Sequence, residues 1–198
     1  MKMDIPLKCS CGSLKGTALN VSPDTGNHLI CMCDDCRSYV QHLKREKDIL
    51  DANGGTEIFQ LTPAQIKFTA GTQNLRCLRL TPKGLLRWYA GCCNTPVANT
   101  LPTPKIPFAG IPVFFFDFAS VNQQSSSVLG PIRERIFGRF GIGVLPPGTQ
   151  QKASPALLLR TLRILFISKL KGMEKPHPFF DAKTGKMILE PEVLGYTA

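Results

Sequence analysis

Cys31-Met32-Cys33-Asp34-Asp35-Cys36-Arg37 is the stretch on which the reading of this chain turns. It holds three thiols within six residues. C-x-C and C-x-x-C spacings each deliver two sulfurs from one local turn, so little further chain ordering is needed to point them at one ion. Two more groups flank it: Cys9-Ser10-Cys11-Gly12 upstream, and the adjacent pair Cys92-Cys93 followed by Asn94-Thr95-Pro96. Seven of the eight cysteines fall in these groups. Cys77 stands alone in the run Leu75 to Leu80 and reads as a small buried core residue.

Disulfides explain the pattern poorly. Members of a C-x-C or C-C pair are badly placed to bridge each other, and Met1 to Pro6 contains no apolar signal-peptide core. The expectation is a cytoplasmic protein, where thiols stay reduced. Zn²⁺, which prefers four tetrahedral N or S ligands, fits better. Seven thiols divide into four and three. A four-thiolate site is closed and structural, whereas a three-thiolate site keeps one position open. Cys31, Cys33 and Cys36 can form a three-ligand site alone, while Cys9, Cys11, Cys92 and Cys93 can meet across a sheet. Adjacent residues in an extended chain point to opposite sides, so Cys92 and Cys93 can share a metal only in a turn. The alternative for one of the pair is a buried thiol that does not ligate.

These clusters resemble the signature of the superfamily of glutathione-dependent formaldehyde-activating enzyme and centromere protein V. That signature runs C-x-C-G, then C-x-C-x-x-C-R about twenty residues on, then C-x-x-C-G-x-P. Cys9 to Gly12 matches the first part, Cys31 to Arg37 the second, and Cys93-Asn94-Thr95-Pro96 the end of the third. The surrounding wording is closer to an uncharacterised bacterial branch. The resemblance implies a mainly β fold, an Mss4-like β-tent zinc domain. It also implies a structural zinc on Cys9, Cys11 and the third-cluster thiols, and a catalytic, more labile zinc on Cys31, Cys33 and Cys36. The implied activity is that of a carbon–sulfur lyase on a glutathione–aldehyde adduct. Two positions depart: the family's first third-cluster cysteine falls where this chain has Ala90, and Asn94 replaces a glycine. The fourth structural ligand is then Cys92, through a changed turn, or some other residue.

The rest of the chain reads as short strands and turns. Residues 4–21 suggest two strands around the first cysteine turn, and His28 to Ile30 a third. Residues 37–46 suggest a helical turn or two, and Ile58 to Leu61 and Ile66 to Phe68 short strands. Leu75 to Leu80 and Leu86 to Tyr89 suggest a hairpin across Thr81-Pro82-Lys83-Gly84. Recurrent prolines make 102–112 an extended connector, with a core strand at Val113 to Phe118. Residues 119–127 read as polar and flexible, Ile132 to Phe140 as a short helix, and Met187 to Leu189 as a last strand. Ser154-Pro155 provides an N-cap and a proline at the first helical position for a helix reaching Lys171. The domain reading is a zinc-binding β-domain over 1–118 and a helical C-terminal extension over 119–198, packed on the first domain.

With 24 Lys+Arg against 14 Asp+Glu the net charge is +10, spread over both halves. This permits an anionic partner without naming one. Aromatics at 8% and the lack of a dense basic block give nucleic acid weak support. No apolar run reaches the ~20 residues a membrane span needs. The last helix is amphipathic and basic, a type that can lie on a membrane surface. The reading preferred here is that its apolar side covers the β-domain.

The functional expectation is a zinc-dependent carbon–sulfur lyase acting on a small thiol–aldehyde adduct. The alternative is a non-catalytic zinc module binding nucleic acid or protein. Arg37 either balances the site charge, meets a substrate carboxylate, or is simply solvated. Asp34, Asp35, His28 and His42 are acid–base candidates by sequence proximity alone.

Overall fold

The computed structural model describes residues 2–195. Strands dominate: β1 (Met3–Lys8), β2 (Lys15–Val21), β3 (His28–Cys31), β4 (Thr56–Leu61), β5 (Ile66–Ala70), β6 (Leu75–Arg79), β7 (Leu86–Ala90), β8 (Thr95–Thr100), β9 (Ala109–Pro112), β10 (Glu134–Ile136) and β11 (Glu192–Val193). The α-helices among the described residues are α1 (Asp34–His42), α2 (Glu46–Ile49), α3 (Ser125–Leu129) and α4 (Pro155–Leu170). The fold is mainly β, and its cysteine clusters lie on turns between strands and at the start of α1.

Two sheets form. One has the order β1-β2-β5, the other β10-β3-β4-β9-β8-β7-β6-β11. Neighbours are antiparallel except for β10 beside β3 and β11 beside β6. Period-two patterning explains β1, where Ile5 and Leu7 are buried and Lys8 is exposed. The central strands β8 and β9 are buried at every position, so both of their faces are covered. The β6–β7 hairpin places Cys77 opposite Trp88, and Cys77 is a buried core thiol. Trp88 stacks on Phe179 with ring centroids 4.6 Å apart, so the C-terminal segment contributes to the core.

Several local expectations are corrected. The connector over 102–112 contains β9, which pairs with β4 and β8 in the middle of the large sheet. Its proline, Pro112, closes the strand, where a missing N–H is tolerated. The strand expected at Val113 to Phe118 is a 3₁₀ turn over Val113–Phe115 with Phe115 fully buried. The helix expected over Ile132 to Phe140 is replaced by β10, because the edge of β3 offers it a ladder. Residues 119–127, read as flexible, run into α3, which buries Val128 and Leu129. The last strand is Glu192–Val193, not Met187 to Leu189; Met187 makes an isolated bridge to Phe180.

Helix α4 begins at Ser154, whose hydroxyl accepts the Leu157 N–H. It meets the turn before β3 through Arg160 and Thr161, which bond Asn27. Leu157 is buried. Leu158, Leu159, Leu162, Phe166 and Leu170 stand open to solvent, whereas the sequence reading has the apolar side covered. Among the described residues no helix is long and apolar enough to cross a membrane.

Candidate metal centres

The first centre joins two turns. Cys9 closes β1 and Cys11 lies in the turn to β2, where Gly12 takes φ +75. Cys92 and Cys93 lie between β7 and β8, where Asn94 takes φ +55, a left-handed geometry Asn tolerates better than most residues. That turn removes the objection to an adjacent pair. The four sulfurs lie within 4.8 Å of one another. Cys9–Cys11 is 3.6 Å, Cys9–Cys92 3.8 Å, Cys11–Cys92 3.3 Å and Cys92–Cys93 3.8 Å. Tetrahedral zinc with Zn–S near 2.3 Å requires sulfurs about 3.8 Å apart, so this set fits zinc. Ala90 is buried on β7 and Cys92 occupies the cluster instead.

The surroundings hold the two turns together. The Leu14 N–H donates to Cys9 Sγ at 3.2 Å. Thr95 Oγ1 accepts the Ser10 N–H at 3.0 Å and lies 3.1 Å from Cys93 Sγ. Arg45 donates to Cys93 O at 2.9 Å and to Ser10 Oγ at 2.8 Å. Hydrogen bonding to Ser13 lowers the Cys11 thiol to about 6, while burial and then the Cys11 contact push Cys92 up to about 12.

The second centre is built by one strand end and one helix start. Cys31 ends β3, Cys33 caps α1 in extended geometry, and Cys36 sits in the first turn. Helix α1 starts at Asp34, earlier than the expected 37, with Cys33 O accepting the Cys36 and Arg37 N–H groups. Cys31–Cys33 is 3.2 Å and Cys31–Cys36 3.6 Å, and the three sulfurs lie within 4.8 Å. Among the described residues no His, Asp, Glu or further Cys joins the group. The donor set fits zinc with a fourth position left to an outside ligand. Leu29, Ile58, Ile136 and Leu157 pack around Cys31 and Cys36.

Arg87 is the residue that sequence proximity misses. It lies on β7, 3% exposed, with Nη1 donating to Cys36 Sγ at 3.6 Å. Its guanidinium is 5.5 Å from the Tyr39 ring centre and 3.8 Å from Asp35 Oδ2. Hydrogen bonding with Cys31 and Cys33, and then the Arg87 guanidinium, hold the Cys36 thiol well below the usual cysteine range. The same hydrogen bonds push Cys31 up. Arg87 thus sets a buried positive charge against the Cys36 sulfur. A detectable signal existed: an arginine between Leu86 and Trp88 inside an apolar strand.

The other candidates fall in different places. Arg37 donates to Met32 O and to Phe140 O and pairs with Asp34 at 3.1 Å, tying the cysteine loop to the segment after β10. His28 is on the opposite side of β3 from Cys31, bonded to Gly130 O at 2.8 Å and Glu57 at 2.6 Å. His42 is exposed in the last turn of α1. Five surface cavities of about 200 to 540 Å³ are lined by other parts of the chain, and none of these five includes a cysteine.

Comparison with curated proteins returns no match. Among solved structures, a crystal structure of a Rhodobacter sphaeroides protein aligns at TM-score 0.41 and 12% identity, over 60% of this chain and 96% of the other, a likeness too distant to carry an argument. The family model that matches is described as a family of unknown function, DUF6151, and not as the formaldehyde-activating superfamily. It matches residues 1–192, and the chain belongs to that family.

Proposed function

We propose that this is a two-zinc protein of the β-tent type in which one site is structural and the other binds a small thiol. Cys9, Cys11, Cys92 and Cys93 hold the structural ion and staple the β1–β2 turn to the β7–β8 turn. Cys31, Cys33 and Cys36 hold the second. The observation that carries this reading is the three converging thiols, with no fourth ligand in their group among the described residues, and one buried arginine beside them.

Bound zinc at such a site supplies a soft Lewis acid for a fourth sulfur. A zinc with three thiolates carries about −1 from the formal charges of its parts, and Arg87 offsets it. The reaction class is carbon–sulfur bond exchange in a thiol–aldehyde adduct. In the forward sense the S–C bond breaks, the adduct's hydroxyl proton passes to the departing sulfur or to solvent, and a carbonyl forms, with no change of oxidation state. Asp35, 56% exposed beside Arg87, is the carboxylate placed to relay that proton. Arg37 meets a substrate carboxylate by giving up its exposed pair with Asp34 while keeping its bonds to Met32 O and Phe140 O.

The test is zinc per chain by elemental analysis on wild type and on Cys31→Ser/Cys33→Ser/Cys36→Ser, with thermal melts. Two zincs falling to one with the melt retained supports an open, non-structural site. NMR exchange between a glutathione–formaldehyde adduct and its parts, accelerated by wild type and not by the variant, supports the reaction. Because losing the three thiols also strips Arg87 of its counter-charge, an unfolded variant is compared with the same variant carrying Arg87→Met; if that one unfolds too, the second cluster is structural and the enzyme reading gives way to a non-catalytic zinc module.

A further inference from the structure

We propose that α4 lays its outer side on an anionic phospholipid surface. This inference is independent of the zinc chemistry and rests on which side of the helix the fold leaves uncovered. The inner side is anchored. Leu157 is buried, the Asn27 amide donates to Thr161 Oγ1 at 3.0 Å, and Arg160 donates to Asn27 Oδ1 at 2.8 Å and Pro23 O at 3.0 Å. The orientation of the helix is therefore fixed by the sheet below it.

The outer side is apolar. Leu159, Leu162, Phe166 and Leu170 are 70%, 63%, 65% and 72% exposed. Their spacing of three, four and four residues places them in one stripe, and it lies opposite Leu157, Thr161 and Ile164. At 16 residues the helix is about 24 Å long, too short to cross a bilayer core, and exposed Leu158 and Ile167 widen its outer apolar side, so it suits lying in an interface rather than spanning one.

Charge selects the occupant. Residues 155–171 contain Arg160, Arg163, Lys169 and Lys171 and no Asp or Glu. Arg163 and Lys169 flank the stripe on either side, where long stems can lie along acyl chains while the charged ends reach head groups. Beyond the C-terminal end of α4 lies a cavity of about 390 Å³ lined by Lys105, Lys169, Lys175 and Lys183 together with Thr184. Two carboxylates also line that cavity: Glu174 is taken by Lys169 at 2.6 Å, and Asp181 Oδ1 accepts the Lys183 and Thr184 N–H groups and the Thr184 hydroxyl. Among the described residues Lys105, Lys175 and Lys183 have no carboxylate partner. The lysines continue the basic rim of the stripe and suit phosphate head groups. Helix α4 carries no Asp or Glu to meet Arg160, Arg163 and Lys171 of a second copy, and nucleic acid has no use for four exposed large apolar side chains.

The experiment is co-sedimentation of the full chain with phosphatidylcholine vesicles, with and without phosphatidylglycerol, at low and high salt. The expected result is binding to the phosphatidylglycerol vesicles that weakens with salt. Leu162→Glu/Phe166→Glu should lose about tenfold or more of the partitioning. Both positions are exposed, so an unchanged melt shows that the loss is not unfolding. A Lys169→Gln/Lys175→Gln variant should weaken binding with the stripe intact. Wild type staying in the supernatant with anionic vesicles overturns the proposal, as does unchanged binding by the Glu variant. Sedimentation velocity adds the remaining outcome: a wild-type dimer that the Glu variant breaks, with no vesicle binding, assigns the stripe to self-association instead.

Discussion

Arg87 Nη1 lies 3.6 Å from Cys36 Sγ although 51 residues separate them in the chain. A guanidinium this deeply buried requires a counter-charge, and its only carboxylate neighbour among the described residues, Asp35, is more than half exposed. The thiol cluster supplies that charge once it is deprotonated or metal-bound. Removing the cation should therefore weaken the metal and not only the packing.

Arg87→Met is expected to destabilise the protein by about 3–5 kcal/mol, since it leaves charge uncompensated in the interior. It should also speed zinc loss to a chelator. Arg87→Lys should recover part of both. Metal release unchanged from wild type would break the link between Arg87 and the cluster.

Cys9→Ser is expected to lower the melting temperature by roughly 4–8 °C, taking a loss of at least about 2 kcal/mol in a chain of this size. The variant should hold one zinc fewer. Cys77→Ser, in the core but outside both clusters, should leave the zinc content unchanged. A zinc loss in Cys77→Ser of the same size would dissolve the assignment of the four-thiol site.

Asn94→Ala is expected to cost about 1 kcal/mol, because at φ +55 Ala keeps the Cβ crowding that Asn also carries and loses the local polar contacts by which an Asn side chain eases left-handed backbone. Asn94→Gly should match or exceed wild type. Equal melts for the Ala and Gly variants would show that the Cys92-Cys93 turn does not depend on left-handed backbone.

His177 packs edge-on against Phe179 and Phe180, and burial lowers its pKa from 6.5 to about 4. The unfolded chain then binds more protons than the folded one between those values, so stability falls as pH drops from 6.5 towards 4. His177→Phe should lack this component. The check is the difference between the two melting curves across that window, which cancels acid effects on the shared cysteines. Parallel curves would refute the buried neutral imidazole.

Local spacing made much of the candidate site legible. C-x-C, C-x-x-C and C-C each bring sulfurs together through one turn, which needs no knowledge of the rest of the fold. The hairpin of β6 and β7 across Thr81 to Gly84 was readable for the same reason, while its register, Cys77 opposite Trp88, was not. Residues 102–112 and 132–140 were not. Pro112 only looks like a strand breaker until β4 lies beside it, and Glu134 to Ile136 is a strand only because β3 presents an unpaired edge.

The residue types and their short-range order thus determined that this is a mainly β, thiol-rich chain with clusters of four and three. Tertiary structure alone decided that Arg87 serves the second cluster, that His28 faces away from it, and that the leucines of α4 remain uncovered. The physical reason is range. Turn geometry acts over a few residues, whereas a buried counter-charge, a strand edge and a helix's covered side are set by segments far apart in the chain.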